Sequence, residues 1–418
     1  MTIIKNANII QPSECIRGDI LIRDGVIQSV GADIESAGAD IIDAGGLICA
    51  PGIIDMHVHM RDPGQTHKED MDTVSRAAAA GGVTTILAMP NTSPPVSTPE
   101  AVRDILTRAA GSDIRIYQCA TITKDMAGSE LNDFAELKKS GATALTDDGR
   151  PVENSGLMLK ALLAAKEIGL PILSHAEELS IAQGGIMNDG EISQKLGVKG
   201  IHRAAEDAAT ARDIAIAAAT DCAIHICHVS TAGSAAIIRD AKRRGIKVTA
   251  ETAPHYLCLS HESLLKRDAD YRMNPPLRTA GDVGAMIEAV RDGTIDVIAT
   301  DHAPHSAEEK SDFESAPFGA IGLETLLPVC YTTLVKPGII TAIELWNLLH
   351  RNPANILGLS STGIEPGAAA DMVLFDPEQE FTVDEKKLHG KSQNTPFKGM
   401  DLFGKVRMTM CRGKVVFR

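Results

Sequence analysis

The middle of the chain alternates eight short apolar runs with longer segments of helical period, and this alternation limits the fold most. The runs cover residues 52–59, 82–90, 113–122, 142–148, 170–177, 222–230, 246–255 and 295–305. They are rich in β-branched residues and almost continuously apolar, as strands buried on both faces are. Eight strand–helix units predict an α/β fold, a parallel (β/α)8 TIM-like barrel with its helices outside. A doubly wound sheet is the alternative, but the first run carries no GxGxxG turn to support it.

The two ends of the chain have a different pattern from the middle. Both contain short strands and turns, such as DILIRDGVIQSVG near the start and KVRMTMCRGKVVFR at the end, with little helical periodicity. We therefore predict one small β-sandwich domain built from residues 1–50 and 365–418 together. The barrel domain, residues 51–364, is then inserted between the two halves of this domain.

Composition and charge exclude some classes of partner. The chain carries 41 basic and 55 acidic residues, a net charge of −14, which argues against nucleic acid or an anionic membrane as a partner. The start of the chain lacks the features of a signal peptide, and no apolar run reaches the roughly 18 residues of a membrane span. The eight cysteines are scattered with no CxxC pair, which predicts reduced thiols and a cytoplasmic protein.

Residue types that bind metals gather where the predicted strands end. Five runs end in such residues, which are His57, His59, Asp148, His175, His228 and Asp301. The carboxyl ends of the strands form the active-site rim of such a barrel, so all six side chains are expected at one mouth. A lone histidine at a strand end is usually structural, but His57 and His59 share one face of their strand because side chains alternate. Four imidazoles and two carboxylates exceed the needs of one tetrahedral ion, and they predict two metal ions that share a ligand.

The adjacent acids Asp147 and Asp148 have different predicted roles. An Asp-Gly pair is common in turns, and on local sequence a turn is as good an interpretation as a functional site. Alternation puts Leu145 and Asp147 on one face of the strand and Asp148 on the other. Since Leu145 belongs against the helices, Asp148 is predicted to point into the barrel mouth, while Asp147 supports the bend that Gly149 begins.

Most of the other histidines have structural interpretations. His225 lies three residues before His228, so alternation predicts that it faces the helices. His302 follows directly after a candidate ligand and is predicted to point away from the mouth. His67 lies in the loop after the first strand and could approach a substrate, whereas we favour a supporting role for His255 at the end of the seventh.

The motifs at the strand ends resemble, as a set, those of the dihydroorotases of the cyclic amidohydrolase group. The motifs are HVHMRDPG, AMPNT, TDDGRPV, SHAE, HVSTAGS, ETAPHYL, MNPPLR, ATDHAPH and the closing NTPFKGMDLFGKV. The chain is more similar to the longer bacterial class than to the shorter single-domain class, and the resemblance covers most of its length. Asp62 stands where Glu is more usual, and Met273 stands where an aliphatic residue is, but neither change removes a functional group.

The resemblance implies a role for each candidate residue. His57, His59 and Asp301 would hold one metal ion, His175 and His228 would hold the other, and Asp148 would bridge them. Arg61, Asn91, Asn274 and His305 would bind substrate, and Phe318 and Gly319 would help to close the pocket. The implied metal is Zn²⁺, with one or two ions per chain and two expected.

The resemblance also implies a reaction and partners. Dihydroorotases interconvert N-carbamoyl-L-aspartate and L-dihydroorotate in pyrimidine biosynthesis, with a metal-activated hydroxide and, by the resemblance, Asp301 as general base and acid. Arg61 beside the metals would pair with a substrate carboxylate in spite of the acidic surface. A homodimer is expected, and association with aspartate carbamoyltransferase stays open.

Two other functions within the same fold remain as alternatives. Dihydropyrimidinases, hydantoinases and allantoinases resemble this chain, but they bridge their metals with a carboxylated lysine. The fourth predicted strand contains no lysine, since Lys138 and Lys139 precede it. An inactive homologue that serves as a structural partner of aspartate carbamoyltransferase would have lost metal ligands, whereas all six candidate positions are intact here.

Overall fold

The computed structural model describes residues 1–35, 37–360 and 363–418, and its strands come from the whole length of the chain. The strands are Thr2–Ile10 (β1), Cys15–Arg23 (β2), Val26–Gly31 (β3), Asp40–Asp43 (β4), Ile48–Pro51 (β5), Ile53–Val58 (β6), Val83–Ala88 (β7), Arg115–Ala120 (β8), Ala144–Leu145 (β9), Leu173–Ser174 (β10), Met187–Asn188 (β11), Gly200–Ile201 (β12), Ile224–Ile226 (β13), Val248–Thr252 (β14), Val297–Ile298 (β15), Met372–Thr382 (β16), Asp401–Cys411 (β17) and Lys414–Phe417 (β18).

Helices follow most of the barrel strands. The α-helices are Met71–Ala80 (α1), Pro99–Ala109 (α2), Phe134–Lys139 (α3), Ser155–Ile168 (α4), Leu179–Ala182 (α5), Glu191–Leu196 (α6), Ala204–Thr220 (α7), Ala232–Arg243 (α8), Pro254–Cys258 (α9), Ala280–Arg291 (α10), Leu326–Cys330 (α11), Ala342–Trp346 (α12) and Asn352–Ile356 (α13). Two π-helical turns, Tyr331–Val335 and Asn347–Arg351, continue α11 and α12. Short 3-10 turns are Lys124–Met126, His261–Lys266, Ala269–Tyr271 and Glu385–Lys387.

The predicted parallel barrel is confirmed, with one strand from each of the eight apolar runs. Four strands pair in the order β6-β7-β8-β9 and four in the order β10-β13-β14-β15. Parallel bridges between Leu145 and Ile172 and between Val58 and His302 join the two groups at both seams. At the second seam the backbone N–H of His59 also donates to the carbonyl of His302 at 2.8 Å. The ring is therefore closed, and the ends of the first and eighth strands lie side by side.

Side-chain alternation separates the barrel interior from the layer under the helices. Seven of the eight barrel strands supply side chains, at or just beyond their ends, to one apolar cluster that includes Met56, Leu87, Cys119, Ala144, Leu173, Cys227 and Val297. Side chains drawn from strands all around a ring meet only inside it. The strand β14 differs, because Val248 and Ala250 pack in the helix-facing cluster. Its interior positions are therefore Thr249 and Glu251, which are polar.

The two ends of the chain build a single terminal sheet. Its strands run in the order β18-β17-β16-β5-β1-β2-β3, and β4 also pairs with β1. The sheet encloses its own apolar cluster, which includes Ile4, Ile9, Ile20, Ile22, Met372, Leu374 and Met408. The expectation of a β domain assembled from both termini is thus confirmed, while its packing as a sandwich and its boundaries at residues 50 and 365 stay predictions.

Aromatic side chains join the terminal sheet to the barrel. The ring of Phe375 on β16 is fully buried and stacks on Trp346, with the ring centroids 5.2 Å apart. Tyr331 meets the same ring edge-on at 5.6 Å. The indole N–H of Trp346 donates to the carbonyl of Pro51 at 2.8 Å, at the point where the chain passes from the sheet into the barrel. Phe375 therefore anchors the sheet on the helices that end the barrel domain.

The described residues also bear on the predictions about membranes and cysteines. In this part of the chain every helix is too short or too polar to cross a bilayer. All eight cysteines are free, and six of them are buried. The thiols of these six act as small core side chains.

Replacement of Phe375 by alanine is expected to weaken the contact between sheet and barrel. A buried phenylalanine leaves a cavity when truncated, so the free energy of unfolding should fall by about 3–5 kcal/mol in chemical denaturation. Phe381 lies on the same strand but is only half-buried, and Phe381→Ala should cost clearly less. Equal losses in the two variants would show that Phe375 does not anchor the sheet.

Candidate metal centre

The six candidate ligands meet at one rim of the barrel. They are His57, His59, Asp148, His175, His228 and Asp301, and none of them is more than 7% exposed. His57 lies within β6, and the others follow the ends of β6, β9, β10, β13 and β15 within a few residues. All these strands are parallel, so their carboxyl ends bring the six side chains to one mouth.

The Asp148 carboxylate lies at the centre of this group. Its Oδ1 is 3.3 Å from His175 Nδ1, 3.4 Å from His57 Nε2 and 3.6 Å from His228 Nε2. Its Oδ2 is 3.5 Å from His59 Nε2. One carboxylate therefore faces all four imidazoles, with its two oxygens turned to different members. This is the arrangement that a ligand shared by two ions requires.

Two smaller groups lie on either side of Asp148. Asp301 Oδ1 is 3.0 Å from His59 Nε2 and 3.6 Å from His57 Nε2. On the other side His228 Nε2 is 2.9 Å from His175 Nδ1. Donor atoms of His57, His59 and Asp301 all lie within 4.8 Å of one another, and so do those of His57, Asp148 and His228. His57 belongs to both groups, and to a third one with Cys227 and Glu251, so the rim offers overlapping donor sets on both sides of Asp148.

The charges of the six candidate ligands favour the binding of a cation. Burial would raise the pKa of Asp148, but His57, His175 and His228 outweigh this and hold it well below its usual range. The pKa of Asp301 is also lowered, because hydrogen bonding to His59 and the nearby imidazoles outweigh burial. His57 Nε2 is buried without a hydrogen-bond partner and faces the carboxylates. Such a donor set fits a divalent ion such as Zn²⁺.

In three of the imidazoles, the ring nitrogen that faces away from Asp148 (the outer nitrogen) contacts an acceptor. The pairs are His57 Nδ1 with Glu251 Oε1 at 2.6 Å, His59 Nδ1 with Asn91 Oδ1 at 2.8 Å and His175 Nε2 with Glu177 Oε2 at 3.3 Å. A carboxylate or an amide oxygen only accepts, so the hydrogen of each ring lies on the outer nitrogen. The inner nitrogen of each ring faces Asp148, and its lone pair would become available to an ion that displaces the proton between them.

The backbone is strained where the rim side chains turn inward. Positive φ angles occur at His228 (36°), Asp301 (49°) and Arg61 (65°), a region that side-chain-bearing residues rarely adopt. Each such residue costs on the order of 1–3 kcal/mol, and such residues concentrate at functional sites. The turn at His228 also breaks strand alternation, because its side chain and that of Cys227 both lie inside the barrel.

Arg61 is a buried cation without a counter-ion. Its Nη2 lies 3.2 Å from His305 Nε2, and its Nε donates to the carbonyl of Pro304 at 3.2 Å. Among the described residues no carboxylate lies within 4 Å of the guanidinium. Burial lowers the pKa of Arg61 to about 10, so the group stays charged at neutral pH. A buried charge in this state is costly unless an anion binds it.

His305 lies among cations and stays neutral. Burial and the charges of Arg61, Lys68 and Lys310 lower its pKa to about 3. Lys68 Nζ is 3.3 Å from His305 Nδ1 and 2.9 Å from a carboxylate oxygen of Glu309. Lys68 was not foreseen as a site residue, although it belongs to the loop that follows the HVHMRDPG motif. Arg61, Lys68 and Lys310 surround this neutral ring, and we call these three cations with His305 the cationic wall beside the candidate metal centre.

The segment that carries Phe318 and Gly319 is fixed against His305. The carbonyl of Phe318 lies 2.9 Å from His305 Nε2. Gly319 has φ of 138°, and a Cβ there would come within 2.7 Å of Ala303, so only glycine fits. Lys310 Nζ donates to the carbonyl of Gly319 at 2.9 Å. These two predicted substrate residues thus lie beside the cationic wall.

The two asparagines predicted to bind substrate contact the candidate ligands. Asn91 accepts from His59, and its Nδ2 lies 3.4 Å from Asp148 Oδ2. Asn274 Nδ2 donates to Glu177 Oε2 at 3.0 Å, and the same oxygen contacts His175. Both amides therefore support the centre from outside, and their contact with a substrate stays a prediction.

One expectation about the remaining histidines is wrong, and the one for His302 agrees with the structure. His225 points into the barrel, not toward the helices, with Nδ1 2.9 Å from Thr249 Oγ1 and Nε2 3.3 Å from Glu251 Oε2. The prediction counted back from His228, where the positive φ breaks the alternation. His302 does point away, and its Nδ1 accepts from a backbone N–H at 3.2 Å.

Asp147, His67 and His255 also have defined surroundings. The Asp147 carboxylate accepts from the backbone N–H of Ile122 at 2.7 Å, and its carbonyl accepts from the N–H of Arg150 at 3.0 Å, which closes the predicted bend. The side chain of His67 is 62% exposed and points away from the centre toward Glu309. His255 is buried against Tyr256, with the ring centroids 4.2 Å apart, and burial lowers its pKa to about 4.

Comparison with known proteins identifies relatives along the whole chain. The family model described as Dihydro-orotase-like matches residues 46–234. A dihydroorotase of Geobacter metallireducens is 47% identical over 421 residues, covering 100% of this chain and 99% of the relative. A dihydroorotase of Acetivibrio thermocellus is 44% identical over 420 residues, with coverage of 100% and 99%.

Solved structures of related enzymes share the fold. The L-hydantoinase (dihydropyrimidinase) of Arthrobacter aurescens superposes with a TM-score of 0.90 at 26% sequence identity. The superposition covers 100% of this chain and 96% of that one. The barrel and the sheet built from both termini are therefore the architecture of cyclic amidohydrolases.

Lys310→Met is expected to change how stability depends on pH. Burial lowers the pKa of Lys310 to about 7 from 10.5, so between these pH values the unfolded chain holds a proton that the folded chain has released. Stability from this group therefore rises with pH across that window, at most by about 1.4 kcal/mol per pH unit. The variant should flatten this part of the curve of unfolding free energy against pH. Lys139→Met, at a side chain 78% exposed, should leave this curve unchanged. A slope in Lys310→Met equal to that of the unchanged protein would refute the lowered pKa of Lys310.

Proposed function

The chain belongs to the dihydroorotase family, and from this premise we propose that a two-metal centre at its barrel rim interconverts L-dihydroorotate and N-carbamoyl-L-aspartate. One observation carries the proposal. The Asp148 carboxylate lies within 3.6 Å of all four imidazoles, in the position of a shared ligand. An aspartate there, beside a buried unpaired arginine, supports a centre built for an acidic substrate.

The proposed metal is Zn²⁺, with two ions per chain. His57, His59 and Asp301 would hold one ion, His175 and His228 the other, and Asp148 both. Imidazole and carboxylate donors suit Zn²⁺, and the inner ring nitrogens of His57, His59 and His175 are free to bind because their outer nitrogens are occupied. When bound, the ions would polarise the amide carbonyl and lower the pKa of water between them.

Asp301 is proposed to move the proton. In the hydrolytic direction it would accept a proton from the attacking water on Oδ2, since Oδ1 faces His59 at 3.0 Å. The new bond joins the water oxygen to the ring carbonyl carbon. The carbon–nitrogen bond then breaks, and Asp301 returns the proton to the leaving nitrogen. In the synthetic direction the same carboxylate would take the proton from the carbamoyl nitrogen as that nitrogen bonds to the side-chain carboxyl carbon. The bond from this carbon to one carboxyl oxygen then breaks, and the oxygen leaves as water with the proton from Asp301 and one from solvent.

The cationic wall is proposed to bind the substrate carboxylate that does not react. Arg61 would donate two parallel hydrogen bonds from its guanidinium, which matches the planar geometry of a carboxylate. Lys68 adds a second charge, which Glu309 partly offsets, and neutral His305 would offer the substrate its Nε2, which here contacts Arg61 and the carbonyl of Phe318. Asn91 and Asn274 would contact the rest of the substrate, with Phe318 and Gly319 closing the pocket.

A hydantoinase or dihydropyrimidinase is the second candidate, because the solved structures with the same fold carry those names. Those enzymes resemble this chain but use a carboxylated lysine as the bridge. Here the fourth barrel strand ends in Asp147 and Asp148. The preceding lysines lie on α3, where Lys139 is 78% exposed and Lys138 donates to the carbonyl of Ile168. Asp148 therefore argues for dihydroorotase.

An inactive structural homologue is less well supported, because all six candidate ligands converge. We further propose that the working enzyme is a cytoplasmic homodimer. The free cysteines agree with a reducing compartment. Light scattering would test the dimer, and co-purification would test an association with aspartate carbamoyltransferase.

Turnover of defined substrates on metal-analysed protein tests the proposed reaction. We expect dihydroorotate hydrolysis and carbamoyl aspartate cyclisation with about two zinc ions per chain, and little turnover of hydantoin or allantoin. Faster turnover of hydantoin than of dihydroorotate would assign the protein to the second candidate. Turnover of none of these substrates by zinc-loaded protein would overturn the proposal.

Asp301→Asn should fold and lose catalysis. The amide keeps the shape of the side chain but cannot accept the proton, so kcat should fall by about 10²–10⁴-fold. Circular dichroism and the metal content would be measured in parallel. Near-normal turnover in this variant would remove Asp301 from the proton transfer.

Arg61→Lys should raise KM for both substrates about 10–100-fold, because a single ammonium cannot replace the two-pronged contact. The effect on kcat should be smaller. Arg108→Met is the matched control, since this arginine belongs to the same region but pairs with Asp62 at 2.9 Å. Its KM should equal that of the unchanged protein. An unchanged KM in Arg61→Lys would contradict a carboxylate clamp.

A further inference from the structure

The barrel interior contains an acid that the reaction does not use. Glu251 lies on β14 and is 1% exposed. The neighbouring strands place Cys227 and Val297 in the interior apolar cluster. An ionised carboxylate in such surroundings is costly unless its partners stabilise it.

Both oxygens of Glu251 face imidazole nitrogens. Oε1 lies 2.6 Å from His57 Nδ1, and Oε2 lies 3.3 Å from His225 Nε2. His225 is fixed in turn, with Nδ1 2.9 Å from Thr249 Oγ1. The carboxylate is thus clamped between two rings, and one of them is a candidate metal ligand.

The geometry points to Glu251 as a positioning residue that sets the metal affinity of the His57 side of the centre. The inference rests on the proposed two-metal function. A carboxylate only accepts, so Glu251 keeps the hydrogen of His57 on Nδ1. Nε2, whose lone pair would bind the ion, is then held toward Asp148 and Asp301, at 3.4 and 3.6 Å. The negative charge also makes His57 a more basic ligand.

The three acceptors on the outer ring nitrogens differ in charge and distance, and this difference indicates which of the two ions depends on Glu251. Asn91 is a neutral partner of His59 at 2.8 Å, and Glu177 meets His175 at 3.3 Å while it also accepts from Asn274. The contact of Glu251 is the shortest of the three and lies deepest, below the mouth. Loss of this contact should therefore lower the affinity for the ion that His57 binds and leave the affinity for the ion beside His175 unchanged.

Metal titration of Glu251→Gln tests the inference without measuring turnover. Gln keeps the shape and one acceptor oxygen but removes the charge. In chelator-buffered Zn²⁺, one of the two ions should bind about 10-fold more weakly, and the other should be unchanged. The KM for dihydroorotate should also be unchanged, because Glu251 lies outside the pocket. Unfolding midpoints of the metal-free proteins would separate loss of fold from loss of metal.

Asp296→Asn is the matched control. Asp296 precedes the neighbouring strand at the opposite end of the barrel, where it accepts from the backbone N–H of Ala250 at 2.8 Å and pairs with Lys242 at 2.7 Å. The variant also exchanges a carboxylate for an amide beside β14. Both zinc ions should bind to it as tightly as to the unchanged protein.

Three results would overturn the inference. The first is unchanged zinc affinity in Glu251→Gln, and the second is an equal loss of affinity for both ions. The third is the same loss of affinity in Asp296→Asn. If Glu251→Gln does not fold, Glu251→Asp replaces it, since the shorter side chain keeps the charge but withdraws it from His57, and the same loss at one ion is expected. An unchanged protein that binds two ions but does not hydrolyse dihydroorotate would instead refute the proposed reaction.

Discussion

The site is organised around one carboxylate that faces four imidazoles. Asp148 lies within 3.6 Å of His57, His59, His175 and His228. The four imidazoles come from three strands, and Asp148 comes from a fourth. Such a group holds together only when positive charge compensates the buried acids. The closed barrel, the strained backbone at the rim and the hydrogen bonds to the outer nitrogens all keep this group in place.

The fold and much of the candidate site follow from local sequence patterns. Buried parallel strands are apolar on both faces, so the eight runs could be recognised one by one. The residues that follow these runs then lie together at one rim of the barrel. Alternation also placed Asp148 correctly in the mouth. It failed for His225, because the positive φ at His228 shifts the side-chain pattern by one residue. A backbone turn of this kind leaves no mark in residue type.

Partners that come from distant parts of the chain could not be predicted in this way. Glu251 contacts His57 from 194 positions away, and only the ring of strands brings the two together. Asn394, in the segment before the last strands, accepts from the backbone N–H of His305 at 3.1 Å and donates to the carbonyl of Gly319 at 3.1 Å. The C-terminal part of the chain therefore supports the active-site mouth as well as the terminal sheet, a link that the separate domain predictions did not include.

The location of bound metal tests the account most directly. Diffraction from crystals of zinc-loaded protein, measured on both sides of the zinc absorption edge, would place each ion by its anomalous signal. We expect two peaks, one among His57, His59 and Asp301 and one beside His175 and His228, with Asp148 contacting both. A single peak that Asp148 does not touch, or a bridge made by a modified lysine, would contradict it.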